Sequence, residues 1–300
     1  MRVLVTGAEG QLVRCLLESG PRRGIEVIAA GRPQIDLARR EPLLPVFAAA
    51  KADAIINAAA YTAVDQAETE PALAQAVNAD GAGAVAQAAR DLAIPLIHVS
   101  TDYVFDGSLN RPYREDDAVA PLGVYGATKL GGERAVQAAG SDHAILRTAW
   151  VYSPFGKNFV RTMLRLAETR GEISVVADQI GSPTSALDLA EAALSVAANL
   201  RQAPHDDQLR GVFHFAGAGE ASWAEFAAEI FAQSSKLGGP SARVIAIPAA
   251  HYPTPARRPA NSRLDTARIR AIHGVTPLDW RVALRQCLHR LLVASKDSLS

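Results

Sequence analysis

The first half of this 300-residue chain alternates short apolar segments with stretches of helical character. Apolar segments that predict buried strands lie at residues 3–5, 25–30, 54–57, 95–100 and 144–147. Between them, helices are predicted at residues 12–17, 42–50, 71–92 and 125–139. Continuous apolar strands separated by helices are typical of a parallel sheet that is covered on both faces. The sequence therefore predicts an α/β fold with a doubly wound, Rossmann-like parallel sheet.

The second half of the chain has a less regular pattern. Helices are predicted at residues 159–170 and 187–200 and after Trp280, and a late strand at 211–215. Ser222 and Glu225 have the spacing of a capping box, which predicts the start of another helix. Residues 245–261 contain several prolines and do not fit a regular helix. We expect a Rossmann-like domain at residues 1–150 and a smaller lobe at 151–300, with some segments of the second half returning to the first domain.

The charge balance and the cysteines limit the partners and the location of the protein. Acidic and basic residues number 31 each, so no global basic field favours nucleic acid or an anionic membrane. No apolar run approaches the roughly 20 residues of a membrane span, and the chain begins directly with a strand, leaving no room for a signal peptide. Cys15 and Cys287 fall in predicted helices and suggest buried thiols in a reducing compartment. We expect a cytoplasmic protein.

A glycine turn follows the first predicted strand. Gly7 and Gly10, with Gln11 and Leu12 after them, stand where the chain must turn sharply into a helix. Backbone amides at such a helix N-terminus bind the pyrophosphate of a dinucleotide. Val13 stands where a full fingerprint has a third small residue. The turn predicts a dinucleotide site with an altered packing of the first helix.

The residues after the second strand bear on the choice of dinucleotide. An acidic residue there binds the ribose of NAD, whereas an arginine accommodates the 2′-phosphate of NADP. The chain has Arg32 and no acid before Asp36, which favours NADPH and leaves NADH as the alternative. Asp36 and Leu37 could bracket the adenine, and small residues after the third strand would let the nucleotide pack against the backbone.

Tyr125 and Lys129 lie four residues apart in a predicted helix, so that they share one face. A free tyrosine has a pKa of about 10, and a nearby ammonium is expected to lower it. A hydroxyl of Ser100 or Thr101, at the end of the fourth strand, could complete a site that holds and protonates a carbonyl oxygen. The positions that we expect to line the cofactor are Gly7, Gly10, Gln11, Leu12, Arg32, Asp36, Leu37, Ala59, Ala60, Tyr61, Thr62, Val99, Tyr125 and Lys129.

Seven segments, taken together and in order, resemble one family over nearly the whole chain. They are Gly7-x-x-Gly10-Gln11-Leu12, the run from Asn57 to Glu68, Ser100-Thr-Asp-Tyr-Val-Phe-Asp-Gly107, Val124-Tyr-Gly-x-Thr-Lys129, Arg147-Thr-x-Trp-Val-Tyr152, Gln179-x-Gly-x-Pro-Thr184 and Arg258-Pro-x-Asn-Ser262. This pattern is similar to that of the dTDP-4-dehydrorhamnose reductases, which are extended short-chain dehydrogenases.

The resemblance implies an oxidoreductase that reduces the C4 ketone of a dTDP-linked 4-keto-6-deoxy sugar, giving dTDP-L-rhamnose, with NADPH or NADH. It implies that Tyr125 protonates the developing alkoxide and that Lys129 holds the nicotinamide ribose. Thr101 would hydrogen-bond the substrate oxygen, Asp102 would lie beside it on the sugar, and Trp150 would pack near the sugar nucleotide.

The smaller lobe would then bind the sugar nucleotide. Arg258 is the expected diphosphate clamp, because its planar guanidinium suits paired phosphate oxygens, and Asn158 could assist. Some family members bridge dimers through glutamates, but Cys15 stands at one such position, so a metal-linked dimer is not expected. No metal ligands are recognised, so Mg²⁺ is possible but not supported by the sequence. The protein is expected to be a monomer or a homodimer.

Two alternatives stay open from the sequence. The substrate could be another nucleotide-linked 4-keto-6-deoxy sugar, or the protein could be a non-catalytic, nucleotide-binding regulatory subunit. The presence of Thr101, Tyr125 and Lys129 together favours an enzyme. Asp65 and Glu68 could form a loop near the substrate or a charge pair at a helix N-terminus.

Overall fold

Six parallel strands form the central sheet, in the order β10-β5-β4-β3-β1-β2. The computed structural model describes residues 1–39, 42–140 and 142–293. The strands of the chain are β1 Arg2–Thr6, β2 Glu26–Ala30, β3 Ala54–Asn57, β4 Leu96–Thr101, β5 His143–Thr148, β6 Val151–Tyr152, β7 Glu172–Val176, β8 Ile180–Gly181, β9 Thr184–Ser185, β10 Gly211–His214, β11 Ala221–Ser222 and β12 Arg243–Ile247. The Rossmann-like α/β prediction is confirmed.

Helices cover both faces of this sheet. They are α1 Gln11–Arg22, α2 Leu44–Ala50, α3 Val64–Ala67, α4 Pro71–Gln75, α5 Gly81–Asp91, α6 Val124–Ala138, α7 Phe159–Ala167, α8 Ala186–Gln202, α9 Trp223–Lys236, α10 Ala267–His273 and α11 Trp280–Leu292. On one face α1 packs against α8, and on the other α5 and α6 lie against β3, β4 and β5. The central strands are almost fully buried, which explains their continuous apolar sequences.

One predicted helix needs correction. Residues 71–92 do not form a single α-helix, because a π-helical turn at Ala76–Asp80 separates α4 from α5. The turn buries Asn78 completely against the neighbouring helix α6. A π-turn inside a helix is often found at a functional site, and the Asn78 contacts described below agree with that tendency.

The second half of the chain contributes both to the sheet and to a separate lobe. β10 pairs with β5, and α8 packs on β3, β4 and β5, so these two segments belong to the central layer structure. The lobe has its own apolar cluster, built mainly from α7, α9, α11 and the parallel pair β7–β12. The expected capping box is present, with Ser222 and Glu225 each accepting from the other's backbone N–H at the start of α9.

Candidate active site

The first turn of α6 meets the end of β4 at the carboxyl edge of the sheet, where ligands bind in open α/β folds. Tyr125 lies in that turn, and its side chain is hydrogen-bonded to Thr101, the last residue of β4. Gly126 permits this approach, because a Cβ there would overlap the carbonyl oxygen of Tyr103. The expected grouping of the tyrosine with a strand-end hydroxyl is therefore present in the geometry.

Ser100 and Thr101 have different partners, which separates the two hydroxyls that the sequence left as alternatives. The Ser100 hydroxyl donates to Glu133 Oε1 at 2.5 Å. Arg147 binds the same carboxylate through Nε at 3.0 Å and Nη2 at 2.7 Å. Ser100 thus belongs to a buried ion-pair cluster between α6 and the sheet, and Thr101 is the hydroxyl that faces Tyr125.

The pKa of Tyr125 does not behave as the sequence suggested. Burial raises the pKa of this phenol to about 12, the hydrogen bond with Thr101 lowers it in part, and the carboxyl of Asp102 raises it. The expectation that the Lys129 ammonium lowers this pKa is not met. Desolvation outweighs the other contributions, so Tyr125 is a protonated phenol at neutral pH.

Lys129 is buried one helical turn after the tyrosine, with 2% of its surface exposed. Its Nζ donates to the backbone carbonyl of Val99 at 2.6 Å. Burial lowers the pKa of Lys129 to about 8, and the carboxylate of Glu133 opposes that change. The ammonium has three donors, so the contact with Val99 leaves donors that could reach a bound ribose.

Asp102 follows Thr101 directly and is 3% exposed. Its Oδ1 accepts from the Thr101 hydroxyl at 3.1 Å, whereas its buried Oδ2 makes no hydrogen bond of normal geometry within the described residues. Burial raises the pKa of Asp102 to about 6, and the hydroxyls of Ser262 and Thr101 lower it. Tyr103 packs edge-on against Tyr125, with ring centroids 5.4 Å apart.

The glycine turn has the geometry of an anion cradle. Gly7 adopts φ of +102°, a conformation that favours glycine. Gly10 is the N-cap of α1 and offers no side chain to the first N–H groups, so that these amides are available to a phosphate. Val13 is accommodated because its Cγ2 occupies the space beside Gly7, only 3.2 Å from where a Cβ would stand. These residues fit a dinucleotide.

The residues that follow β2 differ in their exposure to solvent. Arg32 is exposed at the end of the strand, where a 2′-phosphate could reach it. Asp36 binds its own turn instead, because its Oδ1 accepts from the Ala38 N–H at 3.0 Å and it pairs with Arg39. Leu37 is buried against the apolar layer below. As adenine contacts, Asp36 and Leu37 stay predictions.

The loop after β3 is held by residues that the sequence did not single out. The Thr6 hydroxyl accepts from the N–H groups of Ala58 and Ala59, both at 3.1 Å. Asn78 accepts from the Tyr61 N–H at 2.8 Å and donates to Thr128 on α6 at 3.1 Å. These contacts fix the loop that carries Ala59, Ala60, Tyr61 and Thr62 relative to the tyrosine helix.

A second buried network lies under this loop. Thr6 donates to Asn57 Oδ1 at 2.6 Å, and Asn57 Nδ2 lies 3.0 Å from Nδ1 of His98. Burial lowers the pKa of His98 well below its ordinary value, so the imidazole is neutral. Polar residues at the ends of β1 and β3 and inside β4 were the available signal for this network, but their pairing depends on the strand order.

Trp150 follows β5 in a left-handed conformation, with φ of 49°. Such backbone strain in a large residue is often found at functional sites. Its indole stacks on that of Trp223, with ring centroids 3.5 Å apart and an interplanar angle of 8°. Trp223 was not predicted, and the pair forms an aromatic platform between the sheet edge and the lobe.

Asn158 has less freedom to bind a substrate than the sequence implied. Its Oδ1 caps α7 by accepting from the Arg161 N–H at 3.2 Å. Its Nδ2 donates to Gln11 Oε1 at 2.9 Å and to the carbonyls of Ser153 and Phe155. The amide therefore joins the lobe to the glycine turn, and direct contact with the substrate remains a prediction.

Arg258, the expected diphosphate clamp, is bound to Asp65. The two Nη atoms contact the two carboxylate oxygens at 3.1 and 2.8 Å. Asp65 lies in the first turn of α3, and Glu68 at the end of that helix accepts from the Val124 N–H at 2.9 Å. Glu68 thus caps the tyrosine helix, whereas Asp65 pairs with Arg258; a position of these two acids near the substrate stays a prediction.

Residues 1–39, 42–140 and 142–293 contain no group of three His, Cys, Asp or Glu side chains that could hold a metal ion. None of the helices formed by these residues has the length and apolar character needed to cross a bilayer.

Comparison with known proteins identifies the family. The model of the RmlD substrate binding domain matches residues 1–293. A dTDP-4-dehydrorhamnose reductase of Sinorhizobium fredii is 48% identical over 298 residues, which are 99% of this chain and 100% of that protein. The crystal structure of a Clostridium acetobutylicum dTDP-4-dehydrorhamnose reductase superposes with a TM-score of 0.88 at 37% identity, covering 97% of this chain and 99% of that one. The Bacillus anthracis dTDP-4-dehydrorhamnose reductase in complex with NADP gives a TM-score of 0.85 at 36% identity, with 95% and 98% covered. The chain therefore belongs to the RmlD family of dTDP-4-dehydrorhamnose reductases.

Proposed function

We infer that this protein is a dTDP-4-dehydrorhamnose reductase, an oxidoreductase that uses NADPH to convert dTDP-4-dehydrorhamnose into dTDP-L-rhamnose. The observation that carries this inference is the grouping of Thr101, Tyr125 and Lys129 at the carboxyl edge of the sheet. The uncapped N-terminus of α1 behind Gly7 lies at the end of β1 in the same sheet. Relatives of nearly full length carry the same activity in their names.

The residues of this chain supply a proton and a fixed geometry. Bound NADPH supplies the hydride for the C4 carbonyl. Tyr125 is the proton donor in our proposal, because a phenol with a pKa of about 12 carries its proton throughout the neutral range. Thr101, hydrogen-bonded to that phenol, orients it toward the carbonyl oxygen. Positioning of this kind lowers the barrier by removing the entropy cost of bringing the reacting groups together.

Lys129 has an electrostatic and a binding role in this proposal. Its Nζ is anchored by the Val99 carbonyl, and its remaining N–H donors would bind the ribose of the nicotinamide. A cation in a buried, low-dielectric position stabilises the negative charge that develops on the substrate oxygen. Arg32 would bind the 2′-phosphate and so favour NADPH over NADH.

The sugar nucleotide would lie between the sheet edge and the lobe. Trp150 and Trp223 present a stacked aromatic surface, and the Arg258 side chain, about a quarter exposed, could exchange its carboxylate partner Asp65 for the diphosphate. Guanidinium groups bind carboxylates and phosphates with the same paired geometry. The division at residue 150 between a cofactor domain and a substrate lobe is part of this proposal.

The test is an absorbance assay of the reduced nicotinamide with enzymatically generated dTDP-4-dehydrorhamnose and with the corresponding UDP- and GDP-linked ketoses. We expect oxidation of NADPH with the dTDP substrate and identification of dTDP-L-rhamnose as the product. Tyr125→Phe should lower kcat by a factor of about 100 to 10,000 while NADPH binding stays near normal. An absence of turnover with the dTDP substrate, or an unchanged rate in the variant, would overturn the proposal.

We also propose a cytoplasmic location, which fractionation would test.

A further inference from the structure

A line of hydrogen bonds continues beyond the tyrosine into the protein. Tyr125 is hydrogen-bonded to Thr101, and the Thr101 hydroxyl lies 3.1 Å from Asp102 Oδ1. The Tyr103 N–H donates to the same hydroxyl at 3.2 Å. Because a threonine hydroxyl has one hydrogen and two lone pairs, these three partners use its full capacity. Thr101 therefore connects the phenol to a buried carboxyl group.

The burial of Asp102 is unusual for a residue whose only role is to contact a sugar. It is 3% exposed, and its buried Oδ2 has no hydrogen-bond partner of normal geometry within the described residues. Burying an ionised carboxylate that is not fully paired is costly, so such a site favours the neutral acid. The titratable groups that face Asp102 are Tyr103 on its own turn and Tyr125 on α6, and the Arg258–Asp65 pair acts on Tyr103.

We propose that the carboxyl group of Asp102 is the proton reservoir of the reaction and that it returns a proton to Tyr125 through the hydroxyl of Thr101. This proposal rests on the proposed reductase function. It makes Asp102 a relay residue that acts through Thr101 and assigns it a task beyond contact with the sugar.

The transfers balance as follows. With Asp102 protonated, its O–H donates to Thr101, the Thr101 O–H donates to Tyr125, and the Tyr125 O–H donates to the substrate carbonyl oxygen. When that oxygen gains the electron pair during reduction, it takes the proton of Tyr125. The phenolate takes the proton of Thr101, and Thr101 takes the proton of Asp102. The hydroxyls of Tyr125 and Thr101 are thus restored, Asp102 is left as a carboxylate, and it regains a proton from water before the next turnover.

The pKa values of Asp102 and Tyr125 favour proton transfer in this direction. Burial raises the pKa of Asp102 to about 6, and it raises the pKa of Tyr125 to about 12. A phenolate is therefore a much stronger base than the Asp102 carboxylate, and the proton moves toward the tyrosine. Because the return of the proton to Tyr125 needs the protonated carboxyl, we expect kcat to fall as the pH rises above about 6.

Asp102→Asn is the direct test, because the amide can still hydrogen-bond Thr101 but has no acidic proton to transfer. In steady-state assays of NADPH oxidation, we expect a kcat lower by about 100-fold and the loss of the fall above about pH 6. Asp116→Asn, the same change at an exposed position, is the matched control and should leave the rate and its pH profile unchanged. Binding of NADPH and the circular dichroism spectrum confirm that each variant is folded.

A second variant covers the case in which Asp102→Asn does not fold. The Ser262 hydroxyl lowers the pKa of Asp102, so Ser262→Ala should raise that pKa and move the fall in rate to higher pH. The relay is refuted if Asp102→Asn keeps the wild-type rate or pH profile, if it raises KM alone, or if Ser262→Ala leaves the profile in place. A wild-type protein that does not turn over dTDP-4-dehydrorhamnose would refute the reductase function instead.

Discussion

The ion pair between Glu133 and Arg147 joins the tyrosine helix to β5, and its removal has a calculable effect. The two side chains are 2% and 5% exposed. Arg147→Met removes both guanidinium contacts to Glu133 and leaves the hydrogen bond from the Ser100 hydroxyl to that carboxylate. Breaking a buried pair in this way costs about 3–5 kcal/mol, because a charge stays buried without its partner. We therefore expect the free energy of unfolding to fall by that amount.

Urea unfolding followed by tryptophan fluorescence would measure the change. Glu133→Leu combined with Arg147→Met removes both charges and should recover most of the loss, because apolar residues often replace a buried ion pair without net cost. Arg22→Met is the control, since Arg22 is 67% exposed in its pair with Glu18 and should contribute less than about 0.5 kcal/mol. A loss below about 1 kcal/mol in Arg147→Met, or a double variant no more stable than the single one, would contradict the reasoning.

Three further changes test other parts of the site. Glu68→Ala removes the carboxylate that caps α6. A lost cap costs about 1 kcal/mol, so the free energy of unfolding should fall by that amount in urea titrations, and Glu68→Gln should restore most of it. Gly126→Ala places a Cβ over the Tyr103 carbonyl and should lower kcat by about 100-fold through displacement of the helix, whereas Gly131→Ala on the same helix should keep most of the activity. Arg32→Ala should raise the Kd of NADPH by about tenfold and leave that of NADH unchanged. Equal changes in the two Kd values, measured by fluorescence titration, would exclude contact between Arg32 and the 2′-phosphate.

The strands of the sheet were predictable because the residues that identify each strand are consecutive in the sequence. Continuous apolar runs such as Val3–Val5 identify buried strands wherever they pair, and the turn at Gly7 follows from its position between a strand and a helix. The π-turn at Ala76–Asp80 was not predictable, because its alanine-rich sequence fits an ordinary helix equally well. Its cause lies in tertiary contacts, since Asn78 binds Tyr61 and Thr128 at the same time.

The side-chain partners in the site were less predictable for a related reason. Ser100 and Thr101 are adjacent in a strand and therefore point to opposite sides, but the sequence does not say on which side the tyrosine helix lies. The pairing of Asp65 with Arg258 joins residues 193 positions apart. Spacing indicates which residue types share a face of one element, whereas such pairs depend on how separate elements pack.

The placement of Tyr125 depends on the whole of α6 more than on contacts of the tyrosine itself. Glu68 binds the backbone at the start of the helix, Lys129 binds the Val99 carbonyl one turn later, and Glu133 binds Arg147 one further turn along. Glu133 lies eight residues, or about 12 Å of helix, from the phenol and does not contact the cofactor turn at Gly7. Loss of its ion pair should therefore slow the proton transfer, which is sensitive to small displacements, more than it raises the Kd of NADPH. Parallel losses in rate and in cofactor affinity would instead mean that the helix and the glycine turn move as one body.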